Sequence, residues 1–346
     1  METSFFHHAL NIREDICNGC SLCIRVCPTE ALRIRNGKAH LIEDRCVDCG
    51  ECFRKCPVHA IIIEQDDFSR IYEYKHRVAL VPAVLHGQFK HEISMAGISA
   101  VLRSMGFTWV YEVEHGAEAV RAGIADLMTL RTLPRPLIST FCPAIVRLIQ
   151  VKYPSLIRNF ATVKSPVDMA AFYCRKVLRD NGSHNADIGV FYVTPCAAKI
   201  AAVKSPVGEE SSPITGVINM DFIFNMINRT LRNKHEIDTG EEHPFTTDPS
   251  SLLWSLTNGE ADNVEGSTMA IDGMNNVMEF LEKLENDEIS GIDYLELRAC
   301  DEGCAGGVLM SSNRFLVAQR LRNKARNIAP GQNLSGEDDI TDIHSY

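Results

Sequence analysis

The sequence predicts a small cysteine-rich domain followed by a larger α/β domain with mainly parallel sheet. Three observations carry that expectation. The 346 residues suit two domains, at roughly 100–200 residues per domain. Eight of the thirteen cysteines fall between Cys17 and Cys56, in two matching runs. From about residue 77 onward, apolar strand-like segments alternate with amphipathic helical ones. The expected division is 1–70, 71–328 and, at 329–346, an acidic tail or the start of a linker.

Composition narrows the class. With 45% apolar and 23% charged residues the chain can bury a sizeable core and is not disordered. No apolar run reaches the ~18–20 residues of a membrane span. The start METSFFHHALNIRED lacks the basic, apolar and small-residue succession of a secretory signal, so a cytoplasmic chain without membrane association is expected. A formal charge of −10 argues against a nucleic-acid binder held by phosphate contacts. In such a chain, clustered cysteines mean metal or catalysis more often than disulfides.

The elements follow in order. Residues 17–28 read CNGCSLCIRVCP and residues 46–57 read CVDCGECFRKCP, both C-x2-C-x2-C-x3-C-P, and each precedes a short apolar run. Thiolates at this spacing line a tight loop around one face of an iron–sulfur cube, and the fourth cysteine of each run serves the other cluster. That assigns Cys17, Cys20, Cys23 and Cys56 to one 4Fe–4S cluster, and Cys46, Cys49, Cys52 and Cys27 to a second. Paired zinc knuckles are the alternative, but zinc requires neither a third cysteine at x2 nor the C-P ending. A domain this small has little core, so bound clusters must supply much of its folding free energy.

Beyond it, 77–84 reads as a buried strand, 92–106 as a helix, 107–113 as a strand, 116–131 as a helix and 135–140 as a short strand. Helices at 143–151 and near 166–180 precede a strand at 186–195. Segments 216–232 and 275–285 read as helical, as does the stretch after 311, and 291–299 reads as a strand. The polar, Gly- and Pro-bearing 234–251 reads as a surface loop.

Three apolar strands on this reading each end in a cysteine: Cys142, Cys196 and Cys300, with Cys304 four residues later. Ligands gather at the carboxyl ends of strands in open α/β sheets. These four thiols therefore converge into one site, with four buried core cysteines, a zinc site or an ordinary 4Fe–4S cluster as alternatives. The glycines of CDEGCAGG are expected to let backbone approach a bulky inorganic group. Cys174, inside the helical AAFYCRKVL, reads as a buried small hydrophobe.

Residues 8–65 resemble a bacterial two-cluster ferredoxin domain. FCPAIVRLIQVKYP, TPCAAK and RACDEGCAGG, in that order, resemble the three active-site signatures of iron-only (FeFe) hydrogenases, a likeness that covers residues 8–325. The resemblance implies a ferredoxin-like α+β domain and a larger α/β domain holding an H-cluster: a 4Fe–4S cube joined through one cysteine to a two-iron unit with CO, cyanide and an azadithiolate. Cys142, Cys196, Cys300 and Cys304 would hold the cube, Cys304 also bridging to the two irons. Lys199 matches the family lysine that donates to a cyanide, while Pro82 and Ala83 match a segment whose backbone meets the other cyanide. The activity implied is interconversion of H2 with protons and electrons, the electrons passing through the ferredoxin clusters to a soluble carrier such as ferredoxin. Residues 1–64 carry a formal −1, so an acidic carrier meets less repulsion at that end.

Departures from the family pattern are equally specific. Phe141 stands where prototypes have a proton-relaying cysteine, Thr194 and Ala202 replace a Met and a Glu, and Arg298 replaces a Met. Glu112, Glu114, Glu118 and Glu302 are the acidic residues available as substitutes, with Glu118 and Glu302 expected to offer the bypass around Phe141. These changes resemble the divergent sensory branches of the family. Slow turnover is the expectation, with two alternatives: an H2 or redox sensor read by a signalling partner, and an assembly or carrier relative lacking the two-iron unit.

Overall fold

The computed structural model describes residues 6–90, 93–207, 210–233 and 248–328. In the cysteine-rich segment, β1 (Leu10–Ile12), α1 (Leu22–Val26), β2 (Leu32–Arg35), β3 (Lys38–Leu41), α2 (Glu51–Lys55) and β4 (Ile61–Ile63) form a small α+β unit. β1 pairs antiparallel with β4, and β2 with β3. The second hairpin turns on Asn36-Gly37, both at positive φ, the pair that suits the twist of adjoining strands. Each cysteine run wraps the start of a five-residue helix.

The rest follows the strand–helix alternation. In chain order the elements are β5 (His76–Val81), α3 (Ala83–Gly87), α4 (Met95–Ser104), β6 (Trp109–Glu112), α5 (Ala117–Thr129), β7 (Leu137–Ser139), α6 (Pro143–Lys152), β8 (Phe160–Ala161) and α7 (Pro166–Asp180). There follow β9 (Ile188–Thr194), α8 (Ala197–Lys204), β10 (Gly216–Asn219), α9 (Met220–Asn233), α10 (Pro249–Leu252), β11 (Thr268–Asp272), α11 (Met274–Glu285), β12 (Tyr294–Arg298) and α12 (Arg314–Asn327). Two four-stranded parallel sheets result, in the orders β10-β9-β5-β6 and β11-β12-β7-β8. Every residue of β9 is buried, as expected of a strand covered on both faces. Side-chain caps set several helix starts: Ser94 accepts from the Gly97 N–H, and Ser165, ahead of Pro166 at the first helical position, accepts from Asp168.

Two expectations need correction. β5 stops at Val81 rather than 84, because Pro82 has no N–H to give the ladder, and a short helix starts at Ala83. The segment 216–232 is not helical throughout: Gly216–Asn219 is a buried strand beside β9, and the helix begins at Met220. Helical apolar spacing runs backwards through Val217 and Ile218 and hides the strand. β8, β11, α3, α8 and α10 went unforeseen because they are short or weakly patterned. Of the polar segment 234–251, residues 234–247 lie outside the described residues and Pro249 opens α10. The acidic stretch 329–346 lies outside them too. Among the described residues no helix is long and apolar enough to cross a membrane.

Candidate metal centre

Parallel strands send their carboxyl ends to one side, and here two sheets aim those ends at a common region. One sheet delivers Pro82 and Ala83 after β5, Glu114 after β6 and Cys196 after β9. The other delivers Phe141 and Cys142 after β7 and Cys300 after β12. Cys142 and Cys196 each stand just ahead of a helix, α6 and α8 respectively. Cys300 and Cys304 flank a tight turn whose backbone is pinned by the Cys304 N–H to the Ser255 carbonyl at 2.8 Å.

The glycines of that turn pack against protein. A Cβ on Gly303, at φ +61, would meet the Ser255 carbonyl oxygen at 2.5 Å, and one on Gly307 would meet that of Pro195 at 2.4 Å. These glycines let three backbone segments close on one another around the cysteines.

The four thiols Cys142, Cys196, Cys300 and Cys304 feel one another's charge. Burial first, then the neighbouring thiols, pushes Cys196 up to about 12 and Cys300 well above its ordinary value. The same holds for Cys46, Cys49 and Cys52, raised chiefly by burial and further by neighbours that include Cys27. Cys17, Cys20, Cys23 and Cys56 line a separate cleft of the first domain. Sulfurs gathered in dry surroundings can be thiolates together only if cations share the space.

The three groups form a series. Charge on Cys23 reaches Cys52, placing the first two sets side by side. Val47 and Cys49 share an apolar cluster with Cys142 and Cys196, and Arg54 Nη2 donates to the Gly306 carbonyl at 2.6 Å, joining the first domain to the turn around Cys304. Cys20 is the exposed member at the far end. Cys174 is fully buried in an apolar cluster, with its thiol pushed up by burial.

Beside Cys304 lies a small cavity, lined also by Pro82, Glu114, Phe141, Tyr192, Lys199, Trp254 and Ser255. Lys199 Nζ lies 3.4 Å from the Tyr192 hydroxyl. Burial pulls its pKa down, but Cys304, Tyr192 and Cys196 outweigh that and hold the ammonium above its ordinary value. Phe141 interacts with two cations: Lys199 Nζ is 4.2 Å and the Arg298 guanidinium carbon 4.0 Å from its ring centroid. Arg298, 2% exposed, is ion-paired with Glu296 at 2.9 Å and Glu260 at 3.3 Å.

Of the acidic residues singled out as substitutes, Glu114 alone lines this cavity. The expected bypass through Glu118 or Glu302 is corrected: Glu118 is exposed on α5, and Glu302 accepts from Arg322 at 2.7 Å. Ala83 directs its N–H to Glu114 Oε1 at 2.7 Å, while Pro82 lines the cavity. The sequence pattern missed Tyr192, Trp254, Ser255 and the Glu260–Arg298–Glu296 network. Trp254, one of two tryptophans, sits in a loop-rich stretch with no periodic signal.

A family model described as "Iron only hydrogenase large subunit, C-terminal domain" matches residues 75–251, just over half of the chain. The chain belongs to the iron-only hydrogenase family. A 4Fe-4S dicluster domain model matches residues 11–60 of this family member. Iron hydrogenase 1 of Clostridium pasteurianum is 23% identical over 227 residues, which is 64% of this chain and 38% of that protein. The chain thus spans well under half the length of this curated relative. Solved FeFe-hydrogenases share the fold: one from a study of stepwise H-cluster assembly has a TM-score of 0.55 at 17% identity, covering 75% of this chain and 86% of that one. A variant of the Chlamydomonas reinhardtii enzyme has a TM-score of 0.55 at 18% identity, covering 75% and 87%. The ferredoxin-like α+β segment and the α/β domain with parallel sheets are those expected.

Proposed function

We propose that this family member holds two 4Fe–4S clusters in its first domain and an H-cluster at the second, and interconverts H2 with protons and electrons at a low rate. The carrying observation is a set of buried polar atoms without partners on cavity-lining residues: Glu114 Oε2, Trp254 Nε1 and Ser255 Oγ. Buried polar groups are nearly always bonded, so three such atoms around the cavity beside Cys304, together with the Lys199 ammonium, suit a polar guest. A two-iron unit with cyanide and CO ligands would meet that demand.

In this reading Cys17, Cys20, Cys23 and Cys56 hold the outer cluster, and Cys46, Cys49, Cys52 and Cys27 the inner one. Cys142, Cys196, Cys300 and Cys304 hold the cube, Cys304 bordering the cavity. When bound, the two-iron unit supplies the H2-splitting chemistry, and the residues supply position and charge. The Lys199 ammonium offers a charge-assisted donor to an anionic ligand, and Trp254 and Ser255 offer neutral donors. Phe141, Val84, Val113, Pro166 and Pro195 keep the cavity poor in water. The inner and outer cysteine sets would hold clusters able to relay electrons from the cube toward the surface, with exposed Cys20 nearest a soluble carrier such as a ferredoxin.

The sensor alternative draws on Phe141, which puts no proton-carrying atom at the relay position. Slow turnover would leave one redox state standing long enough for a signalling partner to read. Anaerobic reconstitution with iron and sulfide tests the ligand sets: about twelve iron and twelve sulfide per chain are expected, three cubes' worth, and tightly bound zinc or only two cubes would overturn the assignment.

A further inference from the structure

Phe141 raises a question that its own surroundings answer. Four titratable side chains line the cavity among the described residues: Glu114, Tyr192, Lys199 and Cys304. Tyr192 is a phenol that burial, its largest influence, pushes up to about 12, so it keeps its proton. Lys199 stays charged beside Cys304 and Tyr192 and has no lone pair to offer. Cys304 is taken as the bridging ligand. That leaves Glu114.

Its geometry suits proton exchange. Glu114 is 3% exposed, with Oε1 fixed by the Ala83 N–H at 2.7 Å and Oε2 without a partner. The carboxyl is held at one oxygen and free at the other. Glu112, two residues back at the end of β6, also has a buried, unpartnered Oε2, and β6 is an edge strand of its sheet. We propose that Glu114 exchanges protons with the species bound in the cavity, and that Glu112 passes them on along the sheet edge.

Proton transfer here moves no electrons: an O–H bond forms at Glu114 Oε2 as the bond to the donor in the cavity breaks, and the reverse holds for H2 evolution. Burial places the Glu114 carboxyl at about 7, and burial with the charge of Glu114 places Glu112 at about 8, values suited to transfer near neutrality. The other charged groups around this turn are Lys199 on α8, His115 beside it, Arg121 on α5 with its partner Asp248 at α10, and Asp168 on α7. A neutral, protonated Glu114 is also what an anionic guest would tolerate.

This rests on the H-cluster reading, and the test separates the two. The chain carrying its three cubes is matured with the two-iron unit, and infrared spectra record CO and cyanide bands together with the carboxyl C=O stretch between about pH 6 and about pH 8.5. Glu114→Gln should keep the CO and cyanide bands, lose one pH-dependent carboxyl band, and turn over ~10²-fold more slowly with a fast artificial carrier. Glu114→Asp should recover part of that rate. Glu112→Gln should slow turnover while the Glu114 band remains, which decides the matter if Glu114→Gln does not fold. Wild-type protein without CO or cyanide bands would overturn the H-cluster reading and this inference with it. A loaded Glu114→Gln protein with wild-type rate and an unchanged carboxyl spectrum would overturn this inference alone.

Discussion

The ammonium of Lys199 lies 4.2 Å from the centroid of the Phe141 ring. A cation over an aromatic face gains about 0.5–1 kcal/mol when exposed and about 2 or more when desolvated, and the Arg298 guanidinium interacts with the same ring. Phe141 is thus more than the absence of a relay: its ring helps hold two cations beside the cysteine site.

That arrangement shapes the first prediction. A cysteine placed at 141 would meet two cations, and nearby positive charge favours the thiolate over the proton-carrying thiol. Phe141→Cys should therefore leave H2 turnover within about tenfold of the parent, well short of the ~10²–10⁴-fold that a matched proton-transfer group contributes. Assays of H2 evolution and uptake with a fast artificial donor or acceptor decide it; a gain of several hundredfold would show that Phe141 alone sets the rate.

Arg298 lies in a buried network with Glu296 and Glu260. Tyr294 adds a hydroxyl donor to Glu260 at 2.8 Å. Removing one partner of a buried ion pair leaves uncompensated charge and costs about 3–5 kcal/mol. Arg298→Met should lower the thermal midpoint of the cluster-loaded chain strongly, and adding Glu260→Gln and Glu296→Gln should recover much of the loss. A single variant as stable as the parent would mean the network contributes little.

Stability should also depend on pH through the other buried acids. Burial raises Glu114 to about 7 and Glu112 to about 8, from an ordinary value of 4.5. Between the ordinary and raised values the folded chain binds more protons than the unfolded one, so stability falls as pH rises through that window. For Glu114 the loss is on the order of 3 kcal/mol. Thermal midpoints of Glu114→Gln should fall less steeply between about pH 5 and about pH 8 than those of the parent, and parallel slopes for the two proteins would refute the assignment of the shift.

Much of this was legible in the residues. Cysteine spacing suggested both N-terminal sets, and the ends of three apolar strands pointed to Cys142, Cys196, Cys300 and Cys304, whose thiols lie near one another in the fold. Periodicity located the long helices but missed β10, since Val217 and Ile218 fit a helical stripe as well as a buried strand. The cavity lining was less visible. Glu114 could be suspected from its charge, yet Trp254 and Ser255 reach the cavity only through the loop that the Cys304 N–H ties down. No local pattern encodes a contact between residues about fifty positions apart.

On the proposed reading, Lys199 and the unpartnered atoms of Glu114, Trp254 and Ser255 surround a two-iron unit next to Cys304. Infrared spectroscopy of the chain after maturation with that unit tests it most directly. The parent protein should show CO and cyanide bands, and Lys199→Ala should lose them while all three cubes remain by iron content. A parent protein with three intact cubes but no CO or cyanide bands, or a Lys199→Ala variant whose bands are unchanged, would contradict it.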